Sequence, residues 1–250
     1  MVMGMDSFRE AFKGYEDCYT VIGGAACDIL MSNVDLSFRA TKDIDMILLL
    51  EDRAKEFSDA FWSYIKEGGY KCGWKNSETV HFYRFTEPKP GYPIQIELFS
   101  RLPDYHLETV EGIIPIHIDD EVSSLSAIVL NEDFYHFMMD GRKTVLGVSV
   151  LEADYLIPFK MYAWLDLGER KSRGEHVNEK DLRKHKYDVF RLVEIVSQES
   201  RVEVTGLVKD VVIRFLEKIE AEKLPLDQIG LTMTKDEGLE KLRKLYLVGE

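Results

Sequence analysis

The sequence predicts an α+β fold: a mixed sheet flanked by helices over residues 1–150, then a helical bundle over residues 151–250. Three observations predict it. Short apolar or β-branched runs alternate with helical segments in the first half. Ile44–Leu50 is apolar apart from Asp45, as expected for a strand covered on both faces. From Leu151 onward the spacing of apolar residues becomes helical. A chain of 250 residues can bury the core that such an arrangement needs.

Taken in order, Tyr19–Ile22 reads as a strand and Ala25–Met31 as a helix entered through Gly23-Gly24. Arg53–Glu67 places Phe57, Ala60, Phe61, Tyr64 and Ile65 at helical spacing, and Gly68-Gly69 ends it. Tyr70–Trp74 and Thr79–Phe85 follow as short strands. Pro88–Pro93 is a loop. Ile94–Phe99 alternates, with Ile94, Ile96 and Leu98 on one face and Gln95, Glu97 and Phe99 on the other. Ile113–Ile118 reads as a strand. Phe134–Met139 and Lys143–Val148 read as a hairpin turning at Asp140-Gly141. Four helices complete the chain: Leu151–Leu167, kinked near Pro158; Asn178–Val196, capped by Asn178; Val204–Ala221; and Asp236–Tyr246. The polar gap Gly168–Val177 is the expected mobile loop.

Composition excludes several classes. No apolar run approaches the ~20 residues that span a bilayer, and Met1–Lys13 lacks the apolar core of a secretory signal. A cytoplasmic protein without membrane partners is expected. Cys18, Cys27 and Cys72 form neither a zinc spacing nor a disulfide framework. The net charge of −13 disfavours broad binding to nucleic acid. Residues 169–186 run against that trend, with Arg170, Lys171, Arg173, Lys180, Arg183, Lys184 and Lys186 facing Glu169, Glu175, Glu179 and Asp181.

The chemistry concentrates in two stretches. Gly23-Gly24 opens a helix after a strand, where free backbone N–H groups can meet phosphate. Asp43 and Asp45 head the next strand, on one face and about 7 Å apart. Paired carboxylates of this kind suit Mg²⁺, with Mn²⁺ an alternative. Two such ions would need a further carboxylate. Glu97, on the polar face of an alternating strand, is the natural third ligand and a general base toward a hydroxyl.

Gly23-Gly24 after a strand, Arg39-Ala40-Thr41-Lys42-Asp43-Ile44-Asp45 before an apolar run, and Glu97 on an alternating strand together resemble the nucleotidyltransferase superfamily with the DNA-polymerase-β-like core. Within it the sequence looks most like the AbiEii-type nucleotidyltransferases of abortive-infection and toxin–antitoxin systems. The resemblance covers residues 15–100 well and Val150–Leu192 loosely. It implies a nucleotidyltransferase-like mixed sheet and transfer of a nucleoside monophosphate from a triphosphate to an acceptor hydroxyl on RNA, protein or a small molecule. It also implies an antitoxin protein as a partner. Asp43, Asp45 and Glu97 would be catalytic and metal-binding. Gly23, Gly24, Arg39, Lys160 and Lys180 would hold the triphosphate, with Asp181 an alternative to Lys180 in lining the cleft. Two departures stand out: Ala25 replaces the usual Ser or Thr after the glycines, and the third acid is Glu97 where many members carry Asp.

Each feature also has a plainer reading. Gly23-Gly24 suits a tight turn, Arg39 could simply neutralise Asp43 or Asp45, and Lys160 could be a snorkelling surface lysine. Asp181, His185 and Asp188 share a helical face that reads as a solvated salt-bridge surface before it reads as a metal cluster. The rival function is a catalytically degenerate fold that binds a nucleotide or a protein without turnover, which Ala25 motivates.

Overall fold

In a computed structural model, residues 2–49, 53–76, 81–100 and 131–248 are described. They form two compact units. The first takes the described residues up to 100 together with Arg142–Leu151, and the second takes Asn131–Gly141 and the described residues from 152 onward. The fold is α+β. The expected strand at Ile113–Ile118 lies outside the described residues. Among the described residues, no helix is long and apolar enough to cross a membrane.

The first unit is built on a seven-stranded mixed sheet. Strand β1 (Tyr19–Ile22) is buried along its whole length. It pairs antiparallel with β2 (Asp43–Leu48), which sets Ile22 opposite Asp45. β2 runs parallel to β5 (Gln95–Ser100), with Asp43 opposite Gln95 and Asp45 opposite Glu97. β4 (His81–Thr86) lies antiparallel to β5 with Arg84 opposite Glu97, and β3 (Lys71–Asn76) closes that side. On the other side β1 runs parallel to β7 (Val148–Leu151), which pairs with the edge strand β6 (Arg142–Val145). The order is β3-β4-β5-β2-β1-β7-β6.

One face of this sheet is sealed by aromatic residues. Helix α1 (Met5–Ala11) and its C-cap supply Phe8 and Phe12, and α3 (Ala54–Gly68) supplies Phe57, Phe61 and Tyr64. They pack on Tyr19 of β1 and Phe85 of β4, with ring centroids 5.8 Å apart for Phe12–Phe61 and 5.3 Å for Phe61–Phe85. Six of these rings are essentially inaccessible and Tyr64 nearly so. Such pairs add about 0.5–1.5 kcal/mol each beyond the area they bury. Because side chains alternate along a strand, fixing Tyr19 and Phe85 on this face sends Asp45, Glu97 and Arg84 to the other. Helix α2 (Gly23–Ser32) packs against β1, β2 and β7.

The expected hairpin at 134–148 is corrected. Residues Glu132–Asp140 form helix α4, whose N-cap Asn131 accepts the Phe134 N–H at 3.2 Å. Glu132 and Asp133 favour its first turn, and the buried Phe134, Phe137 and Met138 fall at i, i+3 and i+4. That spacing is helical and outweighs the aromatic, strand-like composition. The true hairpin joins β6 to β7 through Leu146 and Gly147, both with positive φ, as a tight two-residue turn demands.

The second unit is helical. α5 (Ala153–Ser172) runs past Gly168, so the expected loop shrinks to residues 173–178. α6 (Glu179–Ile195) starts at the expected cap: Asn178 Oδ1 accepts the Lys180 N–H at 3.0 Å. α7 (Gly206–Glu220), a 3₁₀ turn (Leu226–Ile229) and α8 (Lys235–Tyr246) follow, α8 opening with a Thr234–Glu237 capping box. α5 packs on α6 and α7.

Pro158 lies inside α5 and has no N–H to give the Asp154 carbonyl one turn earlier. The Tyr246 hydroxyl, fully buried at the end of α8, donates to that oxygen at 2.5 Å. A tertiary bond thus replaces the missing helical one. Tyr246→Phe is expected to cost about 1–3 kcal/mol, the penalty of a buried carbonyl left unsatisfied. Adding Pro158→Ala restores an N–H to that carbonyl and should recover part of the loss. Urea denaturation of the single and double variants checks both outcomes.

Candidate functional site

The site is a row of side chains across three strands. β2 carries Asp43 and Asp45 at its head, both partly exposed. β5 sets Gln95 and Glu97 beside them in register, and β4 adds Arg84 beyond Glu97. Glu97 is only 7% exposed. Its Oε1 accepts two hydrogen bonds, from Arg84 Nε and from Gln95 Nε2, each at 2.8 Å. The Arg84–Glu97 ion pair is itself largely buried.

Burial pushes the Glu97 carboxyl up to about 8, and the neighbouring Asp45 charge pushes it further in the same direction; Arg84 opposes both, and Asp43 adds to the rise. A carboxyl raised this far is poised near neutrality, where a general base works best.

The Gly23-Gly24 turn closes on this row. Gly23 has φ +70°, and a Cβ there would lie 1.9 Å from Asp45 Oδ2. The absence of a side chain is what lets the strand-to-helix turn sit against the Asp45 carboxylate. A Cβ on Gly24 would lie 2.6 Å from Thr41 Oγ1 and 3.7 Å from Arg39 Nη2. The segment leading into β2 therefore rests on the start of α2, with Arg39 stacked on Phe38, its guanidinium carbon 4.9 Å from the ring centre. The first backbone N–H groups of α2 have no intrahelical partners. Ala25, at the place of the expected hydroxyl, is fully buried.

The structure thus brings Gly23, Gly24, Arg39, Asp43, Asp45 and Glu97 together in the first unit. Lys160 and Lys180 belong to the second unit. Lys160 is buried, with its Nζ 3.4 Å from Asp188 Oδ2, and Asp188, completely buried, also accepts from Arg191 Nη1 at 3.2 Å. Asp188 is therefore neither solvated nor part of a cluster with Asp181, which pairs instead with Lys184. Most of the basic stretch is neutralised in place: Arg170 and Arg173 by Glu175, Lys171 by Glu179, Lys186 by Glu222, while Arg183 stacks on Tyr187. Lys180 is exposed.

Hard carboxylate oxygens at the head of β2 fit Mg²⁺ or Mn²⁺. Burial first, and then the Asp45 and Asp43 charges, raise Glu97, and a cation beside the row would relieve the part that comes from charge. Among the described residues, however, no group of three or more His, Cys, Asp or Glu side chains is gathered to hold a metal. Glu97 is bonded instead to Arg84 and Gln95. Sequence reasoning missed both of these partners. The alternation of β5 places Gln95 on the same face as Glu97, but no local pattern marks Arg84.

No protein-family model and no curated protein matches this chain. Among solved structures, an antigenic nucleotidyltransferase-like protein from Paracoccidioides brasiliensis aligns with TM-score 0.48 and 10% identity over 96% of this chain and 90% of its own. JHP933 from Helicobacter pylori aligns with TM-score 0.45 and 14% identity over 96% and 87%. The Megavirus polyadenylate synthase gives 0.39 and 10% over 96% of this chain and 47% of its own. Likenesses of this size carry no activity across.

Two outcomes follow from the geometry. Gly23→Ala forces a side chain into a left-handed backbone and against Asp45, and should lower stability by about 1–3 kcal/mol in chemical denaturation. For Glu97, the folded value of about 8 exceeds its ordinary 4.5. Its contribution to stability is fully present below about 4.5 and is lost as pH rises through about 8. The melting temperature of the metal-free protein should fall across that window, and Glu97→Gln should remove this part of the fall.

Proposed function

We propose that this chain is a divalent-metal-dependent nucleotidyltransferase. The observation that supports the reading is the placement of Asp45 opposite Glu97 in register, with Asp43 beside them and the Gly23-Gly24 turn against Asp45. In this reading the free N–H groups at the start of α2 hold phosphate oxygens of a nucleoside triphosphate, favoured by the positive end of the helix dipole. Arg39 adds a charge beside that turn. In the second unit, Lys160 is committed to Asp188.

Asp43 and Asp45 would hold Mg²⁺ or Mn²⁺, which when bound neutralises the triphosphate and the departing pyrophosphate. Glu97 takes the proton from an acceptor hydroxyl. The freed oxygen forms a bond to the α-phosphorus, the bond from that phosphorus to the oxygen bridging to the β-phosphorus breaks, and pyrophosphate leaves with the electron pair. The protein's share is chiefly positioning and charge complementarity.

Pyrophosphate release is to be measured with each of the four triphosphates and Mg²⁺ against RNA, protein and small-molecule acceptors. Turnover that falls at least about a hundredfold in Asp45→Ala is the expected result. Metal-dependent triphosphate binding without turnover on any acceptor would favour a binding module instead. Unchanged binding in Asp45→Ala would move the site elsewhere.

A further inference from the structure

A glutamate four positions before a lysine on a helix normally pairs with it. α8 has that spacing in Glu237 and Lys241. In the folded chain the glutamate is spent elsewhere. Its Oε2 accepts the Thr234 N–H at 2.7 Å and the Thr234 hydroxyl at 2.9 Å, closing the capping box. Glu240, the next acid of the helix, pairs with Lys244 at 2.5 Å. Lys235 donates to the Glu220 and Glu222 carbonyls at 2.7 and 3.1 Å. Among the described residues, Lys241 makes neither an ion pair nor a hydrogen bond.

Lys241 is half-buried and lines an open cavity of about 630 Å³ within the second unit. The charged groups sharing that cavity are Glu194 of α6, Arg201 of the turn beyond it, and Glu237, Glu240 and Lys244 of α8. Burial lowers the Lys241 ammonium from the usual lysine range, and the Glu194 charge opposes that in part. More of this nitrogen therefore carries a free lone pair near neutral pH. Arg201 donates to the Gln198 and Ser200 carbonyls at 2.9 and 2.7 Å. It pairs with no carboxylate among the described residues, so its guanidinium can receive an anion.

We infer that Lys241 is a covalent acylation site and that its acyl donor is a small acyl phosphate, admitted by the cavity and met there by Arg201. The amine nitrogen forms a bond to the carbonyl carbon. The bond from that carbon to the phosphate oxygen breaks, phosphate leaves with the electron pair, and the proton shed by the nitrogen passes to water. The product is a neutral amide. Because no ion pair is broken, α8 keeps its packing.

The test is a rate comparison within one protein, independent of nucleotidyl transfer. Folded wild type is treated with acetyl phosphate, and acetylation of each lysine is followed by peptide mass spectrometry. Near pH 8, Lys241 should react at least about threefold faster than Lys235 and Lys244. The preference should shrink as pH approaches the ordinary lysine value of 10.5 and vanish in denaturing urea. Glu194→Gln, which removes the charge favouring the ammonium, should speed Lys241 and leave Lys235 unchanged. Acetic anhydride carries no phosphate and should favour Lys241 less than acetyl phosphate does, and Arg201→Gln should erase that difference. Equal rates at the three lysines, a preference that survives urea or does not shrink with pH, slower or unchanged reaction in Glu194→Gln, or equal preference with the two reagents overturns the inference.

Discussion

Like charges do not line up beside one another in a half-buried row unless something else holds the row in place. Here that constraint is strand register. Asp45, Glu97 and Arg84 occupy directly opposed positions on β2, β5 and β4. Burial, and after it the charge of Asp45, raises the proton affinity of Glu97, so the close placement of the two acids carries a cost. It is tolerated because the same strands are fastened from their other face by the Phe8, Phe12, Tyr19, Phe57, Phe61 and Phe85 cluster. A slip of one residue would bury the acids and expose the aromatics. Hydrophobic packing on one side thus stores the electrostatic tension on the other.

The backbone contributes as much as the side chains. Gly23 brings the start of α2 against Asp45 at a separation no β-carbon would allow. The segment before β2 then folds back so that Thr41 and Arg39 meet Gly24. The Asp45 carboxylate and the start of α2 are thereby placed side by side by a turn of two residues. The functional reading rests on that proximity.

The second unit spends its polar groups differently. Lys160, Asp188 and Arg191 form a buried charged set linking α5 to α6. Removing one member of such a set strands the others, which is why these groups belong to the scaffold. Tyr246 answers the gap that Pro158 leaves in α5. The stretch 169–186, conspicuously basic as sequence, is mostly consumed by local ion pairs.

Much was legible in the sequence where the signal is local. The Tyr19–Ile22 strand, the glycine entry to α2, the alternation of Gln95–Phe99 and the Asn178 cap depend on residues a few positions apart, and their spacing encodes them. Residues 134–139 show the limit: aromatic composition pointed to a strand, while the Asn131 cap and the i, i+3, i+4 spacing made a helix. The sequence by itself determined that two aspartates would share a strand face and that a glycine turn would precede them. Only the tertiary structure decided that Arg84 would hold Glu97, and that Asp188 would hold Lys160. Those partners stand 13 and 28 positions apart. Such pairings follow from register and packing of the whole sheet and bundle, and no periodicity along the chain records them.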